Sequence, residues 1–485
     1  MNRQCDARNL TMLTDLYQLT MINGYMQCGL SERQAVFDLF YRGSGGYSYA
    51  VAAGLEQVVE YIENLHFDKE DAAYLRSLGI FSEDFIKRLE KFRFTGDIKA
   101  VPEGTIVFPY EPILRVKAPV FEAQLIETAL LTIINHQTLI ATTAARMCAC
   151  TTAEILEFGL RRAQGADAGV YGARAAYIGG CRSTSNVLSG QMFGIPVKGT
   201  HSHSWVMTFP SELEAFEKYA EIYPDGCLLL VDTYDTLKSG VPNAIKVFDR
   251  LKANGHRPIG IRLDSGDLAY LSREARKMLD EAGHSDCKIF ASNDIDENVL
   301  LALNSQDAAI DVYGIGTKLI TSFSNASLGG VYKLGAIEEN GVLVPKIKVS
   351  DSHDKTTNPG VKKIVRIYRN GMAAADLICL DDETFDTSRP LTIFHPEQTY
   401  KHTTFTHYEV RELMTDVYRE GRLVCDLPSL EEVGAAHDAS KAEFFPEYKR
   451  VVNPQYYKVD LSQKLWQLKN DLLNTSHGDS VGMAK

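Results

Sequence analysis

The chain has 485 residues, 45% hydrophobic and 24% charged, enough to bury large cores and to fill two to four domains. Its 51 Lys and Arg stand against 63 Asp and Glu, and the net charge of −12 argues against a nucleic-acid groove or an anionic membrane surface as main partner, while leaving room for a small anion held by a few local arginines. No apolar run is long enough to span a bilayer, no charged-then-apolar leader opens the chain, and nine scattered cysteines with only a C-x-C at Cys148 and Cys150 read as reduced thiols, so a cytoplasmic protein is expected.

Residues 1–135 predict a mixed α+β domain. An apolar strand at 36–41 is followed by a glycine turn at 43–46, a helix over 50–65, and short antiparallel strands over 100–121, where Pro102, Pro109, Pro112 and Pro119 punctuate the pattern.

Residues 136–345 change rhythm. Short apolar strands are predicted at 154–158, 196–200, 227–232, 258–264, 288–292 and 310–315. Helices fall between them, at about 172–178, then with Val241, Ile245, Phe248 and Leu251 on one face and Gly255 as the stop. The next two carry Leu271, Ala275, Met278, Leu279 and Ala282, then Val299, Leu300 and Leu303. Strand and helix alternate as in a parallel α/β sheet or barrel. Residues 346–485 form a C-terminal region expected to pack on the N-terminal domain: a mobile loop at 355–363, further strands, and a helix at 462–473.

What ends each strand is informative. Phe158 leads to Arg161, Val197 to Thr200, His201 and His203, Val231 to Asp232, Ile261 to Arg262 and Asp264, Ala291 to Asn293 and Asp294, and Ile315 to Gly316 and Thr317. In a barrel these ends converge on one mouth, where catalytic groups sit. Each alone can be a turn or a helix cap, as Asp267 and Asp232 can; together they point to a site.

His201 and His203 lie two apart, so an extended backbone turns both to one side. Three readings stay open: a metal pair as in metal-dependent amidohydrolases, a nucleophilic or acid–base histidine with an incidental neighbour, or two strand-end histidines satisfied by hydrogen bonds. Arg262 offers a planar charged fork for a carboxylate or phosphate, with Asp264 able to hold it or a sugar hydroxyl. Gly314-Ile-Gly316-Thr317 offers backbone amides to a phosphate, and Phe158 beside Arg161 offers a stacking face next to a charge.

Five segments, in order, carry a resemblance. They are Leu13-Thr-Asp-Leu-Tyr17-Gln-Leu-Thr-Met21, Phe158-Gly-Leu-Arg-Arg-Ala-Gln164, Gly199-Thr-x-x-His203-Ser, Gly260-Ile-Arg262-Leu-Asp-Ser-Gly-Asp267 and Gly314-Ile-Gly-Thr317. The set resembles the signature of nicotinate phosphoribosyltransferases and covers about residues 10–470. The resemblance implies the type II phosphoribosyltransferase fold, an irregular α/β barrel with an N-terminal α+β domain and a C-terminal extension. It also implies a homodimer with shared active sites.

The implied reaction joins nicotinate to phosphoribosyl pyrophosphate for NAD biosynthesis, coupled to ATP and assisted by Mg²⁺, with no dedicated protein metal cage. By resemblance His203 is the residue phosphorylated by ATP. Tyr17, Phe158, Thr200 and Arg262 would bind nicotinate; Arg161, Asp264, Gly316 and Thr317 would bind phosphoribosyl pyrophosphate. The alternatives are a nicotinamide-preferring transferase, or a metal-dependent amidohydrolase using His201 and His203.

Overall fold

The computed structural model describes residues 9–43, 47–350 and 355–482. Two compact units divide the chain: Met1–Leu139 with Ser327–Lys485, and Ile140–Ala326. The division expected at 345/346 therefore falls at 326/327. The cause is pairing: the strand Gly330–Glu339 lies antiparallel to Gln34–Tyr41, with Phe40 opposite Val331 and Leu39 opposite Tyr332. The strand Val342–Pro345 continues the same sheet, so residues 330–345 complete the N-terminal structure.

In this split unit the strand Gln34–Tyr41 is buried on both faces beyond Gln34, which is why it reads as one apolar run. Ala35, Phe37, Leu39 and Tyr41 join the main core, and Phe37 stacks on Tyr332 at 4.7 Å. Only part of the helix expected over 50–65 forms. Ala50–Val51 is a strand paired with Ile106–Val107, and the helix runs Leu55–Asn64. Gly54, at φ +107, makes the corner between them, a backbone conformation that side chains strongly disfavour. The strands expected within 100–121 appear as Ile106–Val107 and Leu114–Pro119, with Asp97–Ala100 before them. The glycine turn at 43–46 lies mostly outside the described residues, and of the loop at 355–363 the last two residues open the strand Lys362–Arg369. The C-terminal helix spans Gln463–Gly482.

A second, six-stranded sheet in this unit carries a buried ion pair. Arg366 and Asp376 face each other across the strands Lys362–Arg369 and Met372–Leu380, both fully buried, with Nη2 to Oδ2 at 2.6 Å and Nε to Oδ1 at 2.8 Å. Asp376→Ala leaves the guanidinium uncompensated and is expected to cost about 3–5 kcal/mol, read as a lower denaturation midpoint. Lys464→Ala, at the exposed Lys464–Asp382 pair, should leave the midpoint unchanged, because solvent screens an exposed pair.

The central unit holds five parallel strands in the order Glu154–Glu157, Val312–Ile315, Lys288–Asn293, Gly260–Leu263, Leu228–Leu230. The helices Ala166–Ile178, Val241–Ala253, Leu268–Glu281 and Glu297–Ser305 fall close to their predicted places. Beyond Glu157 the sheet continues only as isolated parallel bridges, Glu157 to Thr184 and Thr184 to Val197. The strand expected at 196–200 is thus reduced to one bridge. Pro196 has no amide hydrogen to give a ladder, and side chains take over the closure. Thr200 Oγ1 donates to the Leu228 carbonyl, and the Leu230 amide donates to His201 Nε2 at 3.2 Å. The result is the irregular α/β barrel.

Candidate active site

Asp232 and Asp264 sit just past two neighbouring barrel strands, and the mouth is organised around them. The Asp232 side chain is 1% exposed; its Oδ2 accepts from the Asp264 amide at 2.9 Å and from Ser265 Oγ at 2.6 Å. Its Oδ1 is buried without a hydrogen-bond partner. Asp232 is therefore not the cap of its own following helix. Asp235 fills that place, accepting from the Lys238 amide, while Asp267 caps Leu268–Glu281 as a strand-end aspartate often does. Asp264 Oδ1 accepts from Ser292 Oγ on the next strand, leaving Oδ2 toward the mouth.

His203 opens the short helix His203–Thr208. Its Nδ1 lies 3.1 Å from Thr233 Oγ1, and its Nε2 lies 3.7 Å from Asp264 Oδ2 and 4.0 Å from Asp232 Oδ1. One ring nitrogen is thus oriented, and the other, on a side chain 38% exposed, is presented between two carboxylates. Such a ring offers one nitrogen to whatever enters the mouth while the other is held in place.

His201 does none of this. It is 7% exposed, its Nε2 is taken by the Leu230 amide, and its Nδ1 lies 3.3 Å from the Ser202 carbonyl. Burial, the largest cause, holds its pKa down to about 4. The folded state therefore keeps the neutral ring, and the stability this contributes is complete above the ordinary value near 6.5 and lost as pH falls from there toward 4. Between pH 7 and pH 4 the stability gap between wild type and His201→Gln should shrink by up to about 3 kcal/mol, measured by urea midpoints. A constant gap would contradict the buried, neutral ring.

Arg262 points into a cavity of about 600 Å³ that Phe158, Thr200, Leu228 and Phe290 also line. Its Nε is buried without a partner, and it makes no ion pair with any described residue. Burial lowers its pKa; Asp264 and then Asp232 oppose this from nearby, and Arg161 adds to it. Phe158 is positioned by Gly314: a Cβ there would come within 2.5 Å of the ring. Only glycine lets the strand Val312–Ile315 pass beneath the aromatic face, a close approach of the kind glycine permits.

The structure thus groups His203 with Asp264, and Arg262 with Phe158 and Thr200, while Arg161 is electrostatically close to Arg262. The Thr200 hydroxyl is spent on the Leu228 carbonyl. Gly316 and Thr317 begin the helix Thr317–Ile320 at the end of the strand Val312–Ile315. Tyr17 belongs to the other unit, on the helix Leu16–Gln27, where its hydroxyl reaches Glu127 Oε1 at 3.4 Å. Sequence reasoning passed over Thr233 and Tyr219; the latter's ring packs on His201 at 4.8 Å. It also passed over a basic group in the split unit. There burial lowers the Lys333 pKa, Glu127 opposes, and Arg42 and Lys348 lower it further.

Three family models match: the nicotinate phosphoribosyltransferase N-terminal domain over residues 12–135, the nicotinate phosphoribosyltransferase family over 153–388, and the C-terminal domain over 361–469. A nicotinate phosphoribosyltransferase of Bacillus subtilis is 48% identical over 95% of this chain and 94% of its own. The chain belongs to the nicotinate phosphoribosyltransferase family. The human nicotinate phosphoribosyltransferase sequence is 33% identical over 95% of this chain and 96% of its own. The crystal structure of human nicotinic acid phosphoribosyltransferase superposes with a TM-score of 0.83, at 32% identity over 95% of this chain and all of that one. The nicotinate-nucleotide pyrophosphorylase of Pyrococcus furiosus, at 21% identity, TM-score 0.69 and 91% and 99% coverage, shares the fold.

Membership of the nicotinate phosphoribosyltransferase family makes the chain an enzyme and removes the amidohydrolase alternative. The two histidines also part company: His201 Nε2 is taken by the Leu230 amide, while His203 Nδ1 meets Thr233 Oγ1. No described helix is long and apolar enough to cross a membrane.

Proposed function

We propose that this enzyme transfers the phosphoribosyl group of phosphoribosyl pyrophosphate to nicotinate, forming nicotinate mononucleotide and pyrophosphate for NAD biosynthesis in the cytoplasm, with ATP hydrolysis coupled through a phosphohistidine at His203. The observation that carries the nicotinate reading is Arg262, a mostly buried guanidinium with no counter-charge bonded to it, in a cavity beside an aromatic face. A buried cation of this kind calls for an anionic ligand, and the carboxylate of a flat pyridine matches both features.

In this reading Arg262 pairs with the nicotinate carboxylate, Phe158 stacks on the ring, and Thr200 lines the same wall. The pyridine nitrogen attacks the anomeric carbon as the bond to pyrophosphate breaks. Arg161, Gly316 and Thr317 hold the phosphoribosyl part, and Asp264 meets ribose hydroxyls. Tyr17 would come from a second copy in a homodimer with shared sites, together with the basic group Arg42, Lys333 and Lys348.

Asp232, with its partnerless buried Oδ1, and Asp264 fit a Mg²⁺ that rides in on phosphates. When bound, the ion supplies neutralisation of charge on the departing pyrophosphate. The chain's own contribution at ATP is His203. Nδ1 is held on Thr233, Nε2 attacks the γ-phosphorus, and ADP leaves. The phosphoryl group alters the charge of the mouth and so the affinity for pyrophosphate, which is how coupling of binding energies reaches the transfer step.

Labelling tests the intermediate. Protein incubated with γ-³²P-ATP should acquire one acid-labile, base-stable phosphate that maps to the peptide containing His203. Label on another residue, or none under turnover conditions, would remove the phosphohistidine from the account.

A further inference from the structure

A cavity of about 740 Å³ lies wholly within the split unit, outside everything the reaction uses. Its walls are aromatic, with Phe40, Phe108, Tyr110, Tyr456 and Tyr457 all facing it. Phe108 and Tyr457 stack at 4.1 Å and 16°, and the Tyr457 hydroxyl donates to Asp376 Oδ1 at 3.0 Å. One wall is therefore pinned by the fully buried Arg366–Asp376 pair. Tyr110 adopts φ +70, a left-handed backbone that a bulky residue rarely takes, and its amide donates to the Tyr41 carbonyl at 2.8 Å. Such strain is typical of ligand clamps. Tyr456 is 76% exposed and stands at the opening.

The same cavity holds two lysines. Lys362 is satisfied, with Nζ 2.7 Å from both Asp38 Oδ2 and the Gly360 carbonyl. Lys469 is held differently. Its Nζ donates to Asn358 Oδ1 at 2.9 Å and forms no ion pair with a described residue. Burial depresses its pKa, Glu397 opposes, and Lys362 depresses it further. Glu397 acts on this ammonium from the same lining, yet an amide is its one hydrogen-bond partner, so its remaining N–H groups can meet an anion. The volume is that of a site for a ligand of nucleotide size rather than for a lone inorganic ion. Asn358, Thr356 and Gln455 supply hydrogen-bonding groups between the aromatic wall and the lysines.

We infer that this cavity is a nucleotide-binding site, with the base stacked on Tyr456 at the opening and the phosphate on Lys469. The cavity shares no lining residue with the barrel mouth, so the site binds apart from the reaction and acts as an effector site.

Calorimetric titration of the full-length protein with AMP tests it, with adenosine and inorganic phosphate as comparison probes. AMP should bind at least tenfold more tightly than either phosphate or adenosine. Lys469→Met should weaken AMP at least tenfold and leave adenosine unchanged; Tyr456→Ala, at an exposed position, should weaken both AMP and adenosine severalfold. His203→Ala should leave this binding in place, which separates it from any binding at the barrel mouth. Absence of AMP binding at millimolar concentration would overturn the proposal. So would binding that is indifferent to both cavity variants, or binding that disappears with His203→Ala.

Discussion

Arg262→Ala is expected to weaken nicotinate by about 2–4 kcal/mol, roughly 30- to 700-fold in Kd, while leaving nicotinamide nearly unaffected. The size follows from the surroundings. The guanidinium Nε is buried without a partner, no described carboxylate pairs with it, and Leu156, Phe158, Leu228 and Phe290 are among the cavity walls, which also carry Glu154, Lys198, Arg257, Asp286 and Lys288. A carboxylate entering beside Phe158 meets a preformed, largely buried charge, and losing that charge removes the ligand's partner. Lysine in its place keeps the charge but not the planar fork, so Arg262→Lys should fall between wild type and alanine. Equilibrium binding of nicotinate and nicotinamide to the three proteins checks this. An alanine variant that discriminates as well as wild type would assign carboxylate recognition to some other group.

His203→Ala should abolish ATP hydrolysis and phosphorylation of the protein, leaving a slow transfer that no longer responds to ATP. On the proposed mechanism the effect is large, because the variant removes the nucleophile outright. The companion variant is His201→Gln. His201 is two residues away, yet its Nε2 is committed to the Leu230 amide. It should keep ATP hydrolysis within a few-fold of wild type while unfolding more easily. Parallel ADP-release assays separate the two: ATP turnover in His203→Ala, or its loss only in His201→Gln, would reverse the roles.

Much of the barrel was legible because its strands are buried on both faces. Leu228–Leu230, Gly260–Leu263, Lys288–Asn293 and Val312–Ile315 read as short apolar runs ended by polar residues, and they are. Closure was not legible, since Thr200 and His201 replace a backbone ladder with side-chain bonds that leave no periodic trace. The helix Glu127–Ala149 was passed over for the opposite reason: it is buried nearly all round and has no polar face to set a helical period. The unit boundary was displaced because Gln34–Tyr41 pairs with a strand almost 300 residues later, and a single sequence carries no signal of such partners.

At the site, residue types and order pointed to Arg262, Asp264 and His203. Choosing between His201 and His203 from the residues alone was impossible, because spacing puts both on one side of an extended chain. Burial separates them, and burial depends on Phe216 and Tyr219 packing over His201. Asp232 looked like a helix cap for a similar reason: its partners, the Asp264 amide and Ser265, come from the next strand's turn.

The measurement closest to the central claim is product formation by purified protein given Mg²⁺ and phosphoribosyl pyrophosphate, with nicotinate or nicotinamide, with and without ATP. Nicotinate mononucleotide that rises with ATP, matched by ADP release and absent with nicotinamide, is the predicted result. Mononucleotide formed from nicotinamide in preference to nicotinate would contradict the reading of Arg262 and of the reaction built on it.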